Sequence, residues 1–291
     1  MSISYLFSEF YHVFTVFFLF HFQFFNFLLF FTLRSVPVTA VDFSGSIVDD
    51  ISSNTYTSSN TITSMSGSAS KCSHCQLTIW NPSKYHTSLV KQIRDQDISA
   101  FIFFENPHRV KLLSTLDEWQ GIDVFEIAKC TNNRPLTVIT WAILEKRELF
   151  QKFSIDKRKM LLFLLHLEDT YHDYQYHNRL HAADVAHSVH VLLNTPTIKT
   201  AFSDLEVLAA IIAAVSHDAD HPGANNNYHI KTNSDLAVLY NDTSILENHH
   251  LAVTFKIMQL EGCDALPSAL GKYTSQRWHQ FRRMVIDLVH T

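Results

Sequence analysis

Histidine and aspartate residues recur in two segments of the sequence at spacings that suit a metal site. His177 and His181 lie four residues apart, so both imidazoles would project from one face of a helix, one turn from each other. His217 and Asp218 follow an apolar run that would form a buried helix, and such a helix can hold two ligands rigidly. Imidazole together with carboxylate is the donor set of a zinc or other divalent ion used for hydrolysis.

Each pair taken alone has a simpler interpretation. A His-x-x-x-His pair is often a surface or capped pair, and a His-Asp dipeptide carries little information. The combination is more specific, because burying the histidines and aspartates of residues 217–221 together without a metal would be costly. Histidine is also locally enriched, since 13 of the 18 histidines lie from His166 onward. The residues themselves predict a metal-dependent phosphohydrolase of the His-Asp type.

The elements that must position these residues are predicted to be helices. A helix is expected after Arg134, because the proline that follows is favoured in a first turn. Residues 207–215 are apolar on every side and too few to span a membrane, which predicts a central buried helix. No alternating strand pattern is found, so the sequence predicts an all-α domain over residues 115–291. Other helices are predicted at 134–149, 160–167, 243–260 and 276–289, and Trp119 and Trp141 are predicted to lie in the core.

The first 114 residues divide into two zones. Residues 1–35 are rich in phenylalanine, and the uncharged stretch 10–33 is long enough to cross a hydrocarbon core of about 30 Å as a helix. Histidines and amide side chains interrupt this stretch, and the basic start and cleavage site of a secretory signal are missing. A membrane anchor, a removed signal and an erroneous start of the reading frame all remain open. Residues 36–114 are interpreted as a Ser/Thr-rich linker and an unassigned region.

Composition excludes several classes of protein. Apolar residues make up 46% of the 291 residues, which is enough for a sizeable core and excludes wholesale disorder. A net charge of −5 gives no electrostatic reason to bind nucleic acid, so no nucleic-acid partner is expected. Four scattered cysteines do not make a disulfide framework. We therefore expect the catalytic region to lie in the reducing cytoplasm.

Three longer motifs resemble one enzyme family. The run YHNRLHAADV at 176–185 and the run HDADHPG at 217–223 resemble the signature and the second metal motif of class I 3′,5′-cyclic nucleotide phosphodiesterases. The run YNDTSILENHH at 240–250 resembles a third block of that family. Flanking runs such as NRPLTV at 133–138 and LEDTYH at 167–172 are most similar to the cAMP-specific type 4 class. The resemblance covers residues 115–291.

The resemblance implies a fold, a reaction and a set of site residues. The fold would be a compact multi-helix domain of the His-Asp type, and the reaction would be metal-dependent hydrolysis of 3′,5′-cyclic AMP to 5′-AMP in cyclic nucleotide signalling. Two divalent ions, Zn and Mg (or Mn), are implied as cofactors. The implied general acid is His177, which would protonate the leaving O3′ oxygen. The implied metal ligands are His181, His217 and Asp218; His221 and Glu247 would hold water around the second ion, and Tyr176 and Asn226 would lie at the substrate pocket.

The resemblance also implies parts of the family's catalytic domain beyond Thr291, namely a fourth metal ligand and the helices that hold the purine. Residues 115–291 are therefore expected to be the N-terminal half of a catalytic domain, with activity impaired by C-terminal truncation. The alternative is a non-catalytic protein, membrane-tethered through residues 10–33, that pairs with complete phosphodiesterase subunits and modulates them. Homo-oligomers and a preference for cGMP remain open, and a general His-Asp nucleotidase fits the ligands but not the third block.

Overall fold

The computed structural model describes residues 107–290, and this part of the chain folds into thirteen helices and no strand, which confirms the all-α prediction. The Phe-rich segment 1–35 and residues 36–106 of the region assigned to a linker lie outside the described residues. None of the described helices is both long and apolar enough to cross a membrane. In chain order the helices are α1 (Pro107–Leu113), α2 (Val124–Cys130), α3 (Pro135–Lys146), α4 (Leu149–Lys152), α5 (Lys157–Glu168), α6 (Arg179–Leu192), α7 (Pro196–Lys199), α8 (Asp204–Ser216), α9 (Asn226–Lys231), α10 (Asp235–Tyr240), α11 (Ile245–Ile257), α12 (Ala265–Ala269) and α13 (Gln276–Val289).

Local sequence explains where the central helices begin. Helix α3 starts with Pro135. An N–H group in the first turn of a helix has no acceptor within the helix, so proline, which lacks this group, loses nothing there. Helix α8 begins with a capping box, in which Ser203 accepts a hydrogen bond from the Glu206 N–H and the Glu206 side chain accepts one from the Ser203 N–H. Helix α6 begins after Asn178, whose side chain accepts from two N–H groups of the first turn.

The core is built around α8. This helix packs against α6 on one side and α13 on another, and α6 also packs against α3. From Leu208 to Ser216 every residue of α8 is buried, as predicted for a central helix. Helix α8 therefore ends at a fixed place inside the domain, next to the start of α6.

Two predictions about elements need correction. The run predicted as one helix over 134–149 is divided, because Arg147 ends α3 and Glu148 adopts a left-handed backbone (φ 58°) before the short helix α4. Trp141 is buried as predicted, but Trp119 is 40% exposed. Trp119 lies in the segment between α1 and α2, where no helix face turns it toward the core.

Candidate metal centre

Three donor atoms converge at the junction of α6 and α8. The Nε2 atoms of His181 and His217 lie 3.1 Å apart, and Oδ2 of Asp218 lies 3.4 Å and 3.1 Å from them, respectively. For zinc bonds of about 2.1 Å in a tetrahedral arrangement, neighbouring donor atoms lie roughly 3.4 Å apart. The three distances between donor atoms are therefore close to those expected around a single zinc ion.

The end of α8 orients His217. This residue follows the last residue of the helix, and its Nδ1–H donates to the carbonyl oxygen of Ala214 at 2.8 Å. Because Nδ1 keeps its proton for this carbonyl, the proton that a bound ion would displace is the one on Nε2, which faces His181 and Asp218. The partial negative charge at a helix C-terminus also favours a bound cation.

The start of α6 positions His181, but it does not place His177 on the same helix. Asn178 has an extended backbone (φ −128°, ψ 178°) and caps α6, so His177 precedes the helix. The prediction that both imidazoles project from one helical face was therefore wrong, because asparagine is a strongly preferred capping residue. The two rings still meet edge to face, with centroids 6.2 Å apart.

The charges of the three donors reinforce one another. Burial would raise the pKa of Asp218, but the positive charge of His217 and hydrogen bonds from His181 and His217 hold the pKa of Asp218 well below its usual range. Burial would likewise lower the pKa of His217, but the Asp218 carboxylate outweighs it and the pKa of His217 is raised. Asp218 is thus an ionised carboxylate in a buried position, where its charge attracts a cation strongly.

A second group of donors, formed by His177, Asp218 and His221, has a different geometry. The rings of His177 and His221 are stacked, with centroids 3.9 Å apart and planes 5° from parallel. Because the lone pairs of an imidazole lie in the ring plane, two stacked rings do not aim them at one ion. The Gly223 N–H also donates to Nδ1 of His221 at 2.9 Å, so the proton of the neutral ring sits on Nε2. Nε2 of the neutral His221 ring is consequently a hydrogen-bond donor.

His250 belongs to this centre, although the sequence analysis gave it no role. Its Nδ1–H donates to the Ala219 carbonyl oxygen at 2.7 Å, and its Nε2 lies 3.9 Å from Oδ1 of Asp218. Burial lowers the pKa of His250 to about 3, so the ring is neutral and two acceptor atoms face each other. A water molecule or a cation between them would satisfy both. The available signal was the spacing of Glu247 and His250, which lie three apart on one side of α11.

The remaining predicted residues lie around these two groups. Tyr176 is exposed and its ring lies 4.5 Å from that of His181. Asn226 joins α9 to α11, because its amide N–H donates to the Glu247 carboxylate at 3.0 Å and its oxygen accepts from the Leu246 N–H at 2.9 Å. The structure therefore brings five of the eight predicted residues into two adjoining donor groups, and ties Glu247 and Asn226 to each other.

Comparisons with known proteins agree with the chemistry of this centre. Residues 176–291 match the family model described as 3′5′-cyclic nucleotide phosphodiesterase. The mouse 3′,5′-cyclic-AMP phosphodiesterase 4C is 51% identical over 180 residues, which are 62% of this chain and 26% of the mouse protein. The probable 3′,5′-cyclic-AMP phosphodiesterase pde-4 of Caenorhabditis elegans is 50% identical over 177 residues, 61% of this chain and 26% of that protein. Residues 176–291 are thus similar in sequence to 3′,5′-cyclic nucleotide phosphodiesterases.

A solved structure has a similar fold over part of this chain. The crystal structure of the phosphodiesterase domain of the RhoPDE fusion protein from the choanoflagellate Salpingoeca rosetta superposes with a TM-score of 0.54 at 30% identity, covering 62% of this chain and 54% of that domain. The chain spans about a quarter of the length of the mouse and nematode relatives. The candidate metal centre at the junction of α6 and α8 lies within residues 176–291, which match the family model.

Proposed function

We propose that this chain hydrolyses 3′,5′-cyclic AMP to 5′-AMP with the help of divalent metal ions. The observation that supports the proposal is the convergence of His181, His217 and Asp218 on one point, directly beside His177. Cyclic AMP is the substrate because the curated relatives of about 50% identity are named as cyclic-AMP phosphodiesterases. Cyclic GMP would fit the same phosphate chemistry and serves as the comparison substrate.

The residues present fit a zinc ion at the first group and leave room for a second ion. His181, His217 and Asp218 would hold zinc, since imidazole and carboxylate are its usual donors at a hydrolytic site. Oδ1 of Asp218, on the side of His250, would reach magnesium, which prefers oxygen ligands and retains most of its water. When bound, such ions lower the pKa of water and neutralise charge on the phosphoryl oxygens.

His177 would supply the proton to the leaving O3′ oxygen. Burial lowers the pKa of His177, and the neighbouring Asp218 carboxylate partly offsets that effect. The phosphate of a bound cyclic nucleotide carries a further negative charge, which favours the protonated ring once substrate is present. Stacking on His221 fixes the plane of the His177 ring and hence the direction in which it donates.

Two other histidines and one carboxylate would hold water and the phosphate. Burial lowers the pKa of His221 to about 4, so its Nε2–H is a neutral donor of constant orientation. Nε2 of His250 is a hydrogen-bond acceptor that faces Oδ1 of Asp218, whereas His181 and His217 face Oδ2 of the same carboxylate. Glu247 is fixed by the Asn226 amide and lies on the same side of α11 as His250, where it can accept hydrogen bonds from water around a second ion.

The experiment that tests this proposal measures cAMP turnover by the full chain loaded with Zn²⁺ and Mg²⁺, with zinc content determined in parallel. The His177→Ala variant should retain zinc and lose turnover by a factor of roughly 10² to 10⁴, the usual contribution of general acid catalysis. The His279→Ala variant is the control, because His279 is an exposed histidine on α13. A zinc-loaded, folded chain that forms no 5′-AMP, or one whose turnover survives His177→Ala, would overturn the proposal.

A further inference from the structure

We infer that Asp220 is a positioning residue that fixes the segment carrying His177 against the loop carrying the metal ligands. The inference rests on the proposed function, since it concerns how the proposed general acid is held. No role was assigned to Asp220 by the family resemblance.

Asp220 hydrogen-bonds two histidines that are far apart in the sequence. Its Oδ1 accepts from Nε2 of His172 at 2.8 Å, and its Oδ2 accepts from Nε2 of His249 at 2.8 Å. The Asp220 side chain is only 14% exposed, and its backbone is left-handed, with φ at 57°. A left-handed backbone is uncommon for a residue other than glycine, although aspartate adopts it more readily than most.

His249 anchors the carboxylate on the domain side. It lies on α11, its side chain is 4% exposed, and its Nδ1 is buried without a hydrogen-bond partner among the described residues. Among the described residues, the Asp220 carboxylate is therefore the hydrogen-bond partner of this ring. Helix α11 also carries His250, which faces Asp218. The hydrogen bond from His249 to Asp220 therefore connects α11 to the loop that carries His217 and Asp218.

His172 extends the bond to the segment between α5 and α6, which includes His177. Two further contacts join the same segment to the same loop. The ring of Tyr174 covers Gly223, where a Cβ atom would lie 3.3 Å from the phenol ring, and His177 stacks on His221. Three contacts together therefore define where His177 lies. They are the hydrogen bond of His172, the packing of Tyr174 and the stacking of His177 itself.

This arrangement separates positioning from metal binding. Asp220 contacts none of the three donor atoms of the candidate zinc site, so its loss should leave zinc affinity unchanged. Loss of the hydrogen bond between His172 and Asp220 should instead make residues 172–177 more mobile, so that the His177 ring adopts a wider range of orientations. A small displacement of a catalytic group costs up to about a hundredfold in rate, so kcat is the parameter that should respond.

The test compares two substitutions at Asp220 in the full, zinc-loaded chain. Asp220→Gly removes both hydrogen bonds and still accommodates the left-handed backbone, and Asp220→Asn retains the shape and one acceptor. His172→Ala removes one of the two bonds from an exposed side chain. Asp173→Ala is the matched control. Asp173 is adjacent to His172, its side chain is 88% exposed, and its carboxylate comes no nearer than 3.8 Å to the Arg179 guanidinium.

The first readout is amide hydrogen exchange of the peptide covering residues 171–178, together with zinc stoichiometry. We expect Asp220→Gly and His172→Ala to exchange roughly three- to tenfold faster in this peptide, the equivalent of one hydrogen bond, with zinc content and the exchange of α8 unchanged. Asp173→Ala should match the wild type. Unchanged exchange in Asp220→Gly, or loss of zinc in step with faster exchange, would overturn the inference, because Asp220 would then be dispensable or would merely maintain the metal loop.

The second readout is the separation of kcat from KM for cAMP. Asp220→Gly should lower kcat roughly ten- to a hundredfold, as removal of an orienting partner commonly does, with Asp220→Asn recovering part of the loss. An unchanged kcat in Asp220→Gly would also overturn the inference. If the wild type itself shows no turnover, the proposed function fails, whereas the exchange readout still decides whether Asp220 holds the segment.

Discussion

Glu168 shows how one buried carboxyl group makes the stability of the domain depend on pH. The residue is fully buried at the end of α5, where it accepts hydrogen bonds from the Leu136 N–H at 2.8 Å and the Thr137 hydroxyl at 2.7 Å. Arg134 lies 3.8 Å away. Burial outweighs these partners and raises the pKa of Glu168 to about 7. The protonated form is therefore favoured by folding.

We predict that the free energy of unfolding falls as the pH rises from about 4.5 to about 7 through this group. The folded state binds the proton more tightly than the unfolded state in that interval, so stability is fully present below the unfolded pKa and is lost by about pH 7. The loss is roughly 3 kcal/mol for a shift of this size. Glu168→Gln removes the titrating group at nearly constant shape.

Chemical denaturation at pH 5 and pH 8 in the presence of a chelator measures the effect. The wild type should lose more stability between the two pH values than Glu168→Gln does, because histidine titrations are common to both proteins. Glu118→Gln replaces an exposed carboxylate and should follow the wild type. Equal losses in the wild type and Glu168→Gln would show that the Leu136 and Thr137 hydrogen bonds keep Glu168 ionised at pH 5.

At the residue scale the sequence predicted which side chains come together better than it predicted their geometry. The types and order of His181, His217 and Asp218 were sufficient to predict a metal site, and the structure brings their donor atoms together. The tautomers were not predictable, because each depends on a carbonyl oxygen or N–H that only the fold supplies, as for Nδ1 of His217 and the Ala214 carbonyl oxygen. The hydrogen bonds of Asp220 to residues 48 and 29 positions away were missed for the same reason.

At the element scale, α8 determines where two of the three candidate ligands lie. The capping box of Ser203 and Glu206 fixes the first turn of this helix, and burial of Leu208–Ser216 fixes its depth in the core. Its last turn then delivers His217 and Asp218. Periodicity predicted α8 and α13 closely, because long apolar or amphipathic runs leave few alternatives. It misplaced the start of α6, because capping by Asn178 overrides a four-residue spacing.

We predict that Ser203→Ala lowers the stability of the domain without altering the metal centre. Loss of an N-capping side chain costs about 1 kcal/mol, which is roughly 2–4 °C in Tm for a domain of this size. Thermal unfolding with zinc titration measures both properties, and Ser203→Thr is the control because threonine retains the hydroxyl oxygen. A Ser203→Ala variant with an unchanged Tm and weakened zinc binding would contradict the prediction. The unchanged Tm would mean that α8 is anchored by its buried face alone.

At the scale of the whole molecule, the candidate zinc site links elements that are distant in the chain. His181 belongs to the first turn of α6, whereas His217 and Asp218 follow α8. The two helices already pack against each other, and their buried apolar residues belong to one core, so a bound ion adds a polar link at one end of an existing interface. A ligand that binds the folded but not the unfolded chain stabilises the folded state by mass action.

We therefore predict that zinc raises the Tm of the full chain and that this shift depends on His181. At a free zinc concentration 100 times the Kd, the gain is about 2.7 kcal/mol, or roughly 5–10 °C for a domain of this size. His181→Ala removes one donor from α6 and leaves His217 and Asp218 on the loop after α8, so most of the shift should disappear. His279→Ala should retain the full shift, because this exposed histidine on α13 is not a member of either donor group. A zinc-induced shift of the same size in His181→Ala would mean that the ion binds elsewhere, and the link between α6 and α8 would then be apolar packing alone.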